Sequence, residues 1–70
     1  MNKKNAMDMI NNNVGIVRHF FYRGTRNQIE EFDGKIVKCY PSIFVVELFD
    51  KTIKTFSYND FIIGNIRIVK

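Results

Sequence analysis

The sequence is poor in the residues that covalent and catalytic chemistry needs. It has one cysteine, one histidine, one proline and no tryptophan among 70 residues. The lone thiol, Cys39, excludes a disulfide within the chain and indicates a reducing compartment. His19 has no acidic neighbour in sequence and no second metal ligand near it. We therefore expect no catalytic residue, no metal and no cofactor.

Long apolar runs are absent too. The chain starts on the basic segment Met1-Asn2-Lys3-Lys4, but polar residues, Asp8 and the asparagines at 11–13, soon come after it. No stretch has the apolar character of a signal peptide or the length of a membrane span. We therefore expect a cytoplasmic protein with no membrane partner.

The residues that are present fit one small domain. A chain of this length buries only about 60% of its unfolded surface. Its hydrophobic content of 46%, with seven phenylalanines, is enough for one compact core. The net charge of +4 is compatible with a nucleic acid or an acidic protein as partner. It is equally compatible with a surface that only keeps the domain in solution.

The first residues favour a different structure from the rest of the chain. We expect residues 1–13 to form a short helix capped by Asn5, or else a disordered arm. The three asparagines at 11–13 end any such helix. Residues 14–70 are predicted to form the β-barrel domain.

Strand signals dominate after residue 13, where β-branched and aromatic residues alternate with turn residues. Asp33-Gly34 predicts a bulge or bend, and residues 59–62 predict a single 3₁₀ turn. The predicted strands are 14–23, 29–40, 43–49, 52–58 and 66–69. The predicted core residues are Ile36, Phe44, Val46, Leu48, Phe61, Ile66 and Ile68.

The most specific motif lies at residues 40–48, Tyr-Pro-Ser-Ile-Phe-Val-Val-Glu-Leu, followed by Ser-Tyr-Asn-Asp-Phe at 57–61. Pro41 belongs in a turn because it cannot donate a backbone hydrogen bond. Together with Gly34, these segments resemble the Veg family, small bacterial proteins named as biofilm-formation stimulators. The resemblance runs from about Asn11 to Val69.

This resemblance implies an SH3-like barrel after a short N-terminal helix. It also implies regulation of gene expression and biofilm formation, without a settled chemistry. The predicted fold is mainly β: a five-stranded SH3-like or Sm-like small barrel, with a 3₁₀ turn before the last strand. The first strand, with Phe20-Phe21-Tyr22, is more aromatic than the family pattern.

One candidate binding site is a basic, aromatic stretch. Residues 9–28 contain no acidic residue, and arginines alternate with aromatic rings there. Arginine binds phosphate in bidentate geometry, and aromatic rings stack on bases. The alternative is that the rings fill the core while the arginines keep the surface hydrated. The candidate nucleic-acid-binding residues are Arg18, His19, Tyr22, Arg23, Arg26, Lys35 and Lys38.

A second candidate site predicts a protein partner. Tyr40, Pro41 and Tyr58 could form a shallow face for an extended peptide, as aromatics beside a proline do in SH3 domains. The alternative is that both tyrosines cap the ends of the barrel.

These patterns predict a non-enzymatic regulatory binding protein of the Veg type. Its partner is a protein or a nucleic acid, DNA or RNA, and the sequence leaves this choice open. The alternative is an Sm-like RNA-binding protein that uses the basic, aromatic first strand and its following loop. We expect a monomer or a weak homodimer, because closing a barrel removes exposed strand edges.

Overall fold

Five antiparallel strands and two helices make up residues 2–24 and 28–69, the part of the chain that this computed structural model describes. The elements are α1 (Lys3–Asn12), β1 (Val17–Arg23), β2 (Ile29–Cys39), β3 (Ile43–Leu48), β4 (Ile53–Ser57), α2 (Tyr58–Ile62) and β5 (Ile66–Ile68). The strands are shorter than the sequence predicts, by one to three residues each. Val14, for example, makes only an isolated bridge to Ile36, and Gly15 follows it with a φ of 81°.

One sheet contains all five strands, in the order β4-β3-β2-β1-β5. Consecutive strands pair from β1 to β4, and β5 returns to pair with β1. The predicted mainly β fold with five antiparallel strands is thereby confirmed. Within the described residues β4 and β5 do not pair with each other, so the sheet is open and the word barrel describes it loosely.

Helix α1 begins earlier than predicted. Its N-cap is Asn2, whose side-chain oxygen accepts a hydrogen bond from the Asn5 amide at 2.8 Å. The predicted cap at Asn5 was therefore wrong, because the basic residues at 3 and 4 already belong to the first turn. Ala6 and Ile10 lie one turn apart and are fully buried. The helix is thus held in place by packing on the rest of the domain.

Helix α2 replaces the predicted 3₁₀ turn with a short α-helix. The Ser57 hydroxyl accepts a hydrogen bond from the Asp60 amide at 3.0 Å and caps the helix. The Ile63 amide donates to the Asn59 carbonyl at 3.0 Å, which is the i to i−4 spacing of an α-helix. Gly64 ends the helix with a φ of 84°.

The bulge of β2 lies at Val37 and not at Asp33-Gly34. The pairing of β2 with β3 shifts between Ile36 and Lys38, which leaves Val37 as the extra residue. Gly34 does not form the bulge and instead lies where the two strands pack closely. A Cβ atom there would come within 2.6 Å of a Val46 methyl carbon. The glycine therefore lets β2 approach the Val46 side chain of β3 closely.

The core lies between the inner side of the sheet and the two helices. Of the predicted core residues, Leu48 and Ile68 are only partly buried, and the other five are buried. The Phe44 ring lies at the centre, within 5.6 Å of Tyr58, 5.9 Å of Phe56 and 6.4 Å of Phe61 between ring centroids. The buried residues are Ala6, Ile10, Phe20, Ile36, Phe44, Val46, Phe56, Tyr58, Phe61 and Ile66.

Candidate partner-binding surface

The side chains of β1 alternate between the core and the surface. Phe20 is fully buried, so Arg18 and Tyr22 lie on the inner side of the sheet with it. The residues between them point away from the core. We call the outward side of β1 and β2 the outer face, formed by Val17, His19, Phe21, Arg23, Glu31, Asp33 and Lys35.

This alternation divides the candidate nucleic-acid-binding residues. Tyr22 packs against Phe56 at 5.1 Å between ring centroids. The Arg18 guanidinium donates a hydrogen bond to the Asn13 side-chain oxygen at 2.8 Å. His19, Arg23 and Lys35 share the outer face, and Lys38 is exposed beyond the bulge. Arg26 lies outside the described residues.

Two carboxylates of β2 hold the His19 ring on the outer face. Nδ1 lies 2.8 Å from an Asp33 carboxylate oxygen, and Nε2 lies 3.1 Å from a Glu31 carboxylate oxygen. The pairing of β1 with β2 sets His19 directly opposite Asp33. The sequence missed these partners because they are 14 and 12 residues away along the chain. Both ring nitrogens of His19 are therefore engaged by carboxylates of the same chain.

We expect this contact to make stability depend on pH. The hydrogen bonds to Asp33 and then to Glu31 raise the pKa of His19 above its usual 6.5. A raised folded-state pKa adds stability that is fully present below pH 6.5 and is lost as pH rises through the raised value. His19→Gln should therefore lower the melting temperature most in mild acid. Its effect should shrink towards alkaline pH.

Thermal melting of the parent and of His19→Gln across this pH range checks the expectation. His19 is the only histidine, so the variant's melting temperature should change less with pH. Parallel curves for the two proteins would show that the ring and the carboxylates do not interact in solution.

Two further cations on the sheet have partners within the chain. The Lys54 ammonium lies 3.2 Å from a Glu30 carboxylate oxygen and 5.7 Å from the centre of the Phe32 ring. The Arg67 guanidinium lies over the Phe21 ring at 5.4 Å. Carboxylates and rings of other strands thus engage positive charge that the sequence alone presents as available.

An exposed apolar patch lies at one end of the outer face. It consists of Val17 and Phe49, which are 51% and 76% exposed, with Lys35 and Lys51 beside them. Together with Gly34, Glu47 and Leu48, these four residues line a shallow cavity of about 160 Å³. The sequence interpretation placed Phe49 inside the third strand and so missed it. The signal that could have found it is an aromatic residue directly before the Asp50-Lys51 turn.

The candidate peptide-binding residues are not on one surface. Tyr40 is 45% exposed and Pro41 is also exposed, at the turn between β2 and β3. Tyr58 is only 1% exposed, because α2 buries its ring against Phe44. Tyr58 is therefore a core residue. Of the three candidate residues, only Tyr40 and Pro41 are at the surface.

The Tyr58 hydroxyl is buried beside the Cys39 thiol. It has no hydrogen-bond partner among the described residues. Burial, and secondly the nearby thiol, raise the pKa of Tyr58 to about 12. The phenol is therefore neutral at physiological pH, and its place in the core fits a packing role.

A comparison with protein-family models matches residues 4–69 to the family described as biofilm formation stimulator VEG. The chain belongs to the Veg family. The match covers α1 from its second residue, all five strands and α2. A comparison with curated proteins finds no match.

The Veg family is named for stimulating biofilm formation and not for an enzymatic activity. Among residues 2–24 and 28–69, no helix is long and apolar enough to cross a membrane. The same residues contain no group of three or more histidine, cysteine, aspartate or glutamate side chains arranged to hold a metal ion.

Proposed function

We propose that this Veg-family chain is a non-enzymatic regulator of gene expression that stimulates biofilm formation by binding a protein partner. The partner is held on the outer face, and the apolar patch of Val17, Phe49, Lys35 and Lys51 is the main contact.

This choice of partner rests on one observation: two carboxylates lie among the basic residues of the outer face. Glu31 and Asp33 lie on the outer face against His19, where the basic stretch was expected to meet phosphates. Proteins bind nucleic acid chiefly through lysines and arginines, which neutralise phosphates and release their counterions. On the outer face the phosphates would also have to approach the two negative charges of Glu31 and Asp33, which is unfavourable. The arrangement therefore favours a partner with both apolar groups and charges of both signs.

The apolar patch provides what such a partner needs. Aromatic side chains are enriched at the centres of protein interfaces, where they exclude water. Phe49 is 76% exposed, and two lysines and one carboxylate, Glu47, line the cavity with it. These features fit a protein that presents an apolar side chain flanked by carboxylates.

Arg23, Lys35 and Lys38 favour the second candidate, an Sm-like RNA-binding function. All three lie on the exposed side of adjacent strands, and the chain carries a net charge of +4. This candidate requires their charge to outweigh that of Glu31 and Asp33.

Fluorescence anisotropy with single-stranded RNA and duplex DNA, at several salt concentrations, distinguishes the two partner classes. We expect the parent to bind both weakly, and Arg23→Gln with Arg26→Gln to bind as the parent does. The matched control is Lys3→Gln with Lys4→Gln, which removes the same charge from α1.

Nucleic acid binding would look different in this assay. Affinity would fall steeply with salt, and the arginine pair would flatten the slope by about 0.7 to 0.9 for each phosphate that the variant no longer binds. If the arginine variant loses affinity and the lysine control does not, the protein-partner proposal fails.

A further inference from the structure

Strand β4 ends the sheet with one side unpaired. The Leu48 amide donates to the Thr52 carbonyl at 2.9 Å, and the Tyr58 amide donates to the Ser42 carbonyl at 3.2 Å. In an antiparallel pair only alternate residues exchange hydrogen bonds, so the even-numbered residues of β4 bond to β3. The backbone groups of Ile53 and Thr55 and the Ser57 amide therefore point outward, and no further strand pairs with them among the described residues.

This edge lacks the usual protection against pairing. Proteins protect edges with prolines, with charged side chains or by keeping the strand short. Strand β4 contains no proline, and its one charged residue is Lys54, which Glu30 and the Phe32 ring already engage. The strand at the other end of the sheet, β5, has only three residues, against five in β4.

We propose that the β4 edge pairs antiparallel with the β4 edge of a second copy of this chain. The two-fold axis passes through Thr55, so Thr55 lies opposite Thr55 of the second copy, and Ile53 lies opposite Ser57. This inference goes beyond the proposed function and does not depend on it. The outward groups of Thr55, the Ile53 carbonyl and the Ser57 amide then find partners.

Charge selects this register over its neighbours. An axis through Lys54 would set the two Lys54 side chains directly opposite each other, which is unfavourable. An axis through Phe56 would shorten the overlap of the five-residue strands. With the axis through Thr55, all five residues of the two strands overlap, and the two Lys54 side chains lie apart.

The apolar side chains near the edge also fit this register. Ile53 and Ile43 are 53% and 37% exposed on the same side of the sheet, and Ser57 is paired with Ile43. Ile53 of the second copy would lie next to the small Ser57, two strands or about 10 Å from Ile43. Ile53 of the second copy would then cover the small Ser57, and the symmetry makes this contact twice. One strand pair buries less than a standard interface, so we expect a weak dimer.

Sedimentation equilibrium and amide hydrogen exchange, at a series of protein concentrations, test the proposal together. We expect the mass to rise from monomer towards dimer as concentration rises. The amides of Thr55 and Ser57 should become protected over the same concentrations. A mass that stays monomeric, or a dimer without this protection, would overturn the proposal. So would protection that appears only when an extended peptide from another protein is added.

Two pairs of variants test the register. Thr55→Pro removes an outward amide that β3 does not use, and should lower the dimer association constant at least about tenfold. Thr55→Ala keeps the amide and should dimerise as the parent does. Where circular dichroism shows that the proline variant does not fold, Ile53→Lys and its control Ile63→Lys replace this pair. Equal association by Ile53→Lys and the control would overturn the pairing.

Discussion

Phe44→Ala should be the most damaging single substitution in this domain. The Phe44 side chain is fully buried and contacts the rings of Phe56, Tyr58 and Phe61, which come from β4 and α2. Removing a buried phenylalanine side chain costs about 3–5 kcal/mol, because its apolar packing disappears and a cavity remains. Domains of this kind are stable by only about 5–15 kcal/mol. The variant should therefore be largely unfolded or melt at a much lower temperature.

Urea unfolding followed by circular dichroism measures this cost. The matched control is Phe49→Ala, which removes the same atoms from a ring that is 76% exposed. Its free energy of unfolding should stay within about 0.5 kcal/mol of the parent. Similar losses in the two variants would show that Phe44 does not lie in the core.

The strands of this fold were predictable from the sequence because local signals agree with one another. β-branched and aromatic runs are separated by Pro41, Asp50-Lys51 and Gly64, and the structure places turns or helix ends at these positions. The bulge at Val37 was not predictable, because nothing in a valine marks an extra residue in a ladder. The helix within residues 1–13 was predicted, but its N-cap was not, because several asparagines near the start can cap a helix.

The candidate surface was harder to predict, because it depends on which side of β1 faces inward. Each side of this strand carries both aromatic and charged residues, so periodicity does not decide between them. Burial of Phe20 decides it, and this places Arg18 and Tyr22 away from His19 and Arg23. The carboxylates beside His19 depend on strand register, which a single sequence does not encode locally. Tyr58 was placed at the surface because the packing of α2 over its ring is a tertiary effect.

The second large effect is expected on function. Val17→Ser together with Phe49→Ser should abolish the stimulation of biofilm formation while leaving the fold intact. Both side chains are more than half exposed, so the substitution removes apolar contact area from the patch and little from the core. An interface that depends on a few apolar residues loses most of its affinity when these are removed. Circular dichroism and thermal melting establish that the variant is folded.

Arg23→Gln together with Arg26→Gln is the comparison that makes this measurement decisive. It removes two positive charges from the predicted nucleic-acid-binding set and leaves Val17 and Phe49 in place. Under the protein-partner account, this variant should stimulate biofilm formation as the parent does.

The most direct test is therefore biofilm mass in a bacterium that lacks its own Veg-family gene and expresses the parent or one of these two folded variants at equal levels. The account predicts that the parent and the arginine variant restore biofilm, and that the Val17→Ser, Phe49→Ser variant does not. Restoration by the apolar-patch variant, with loss in the arginine variant, would contradict it.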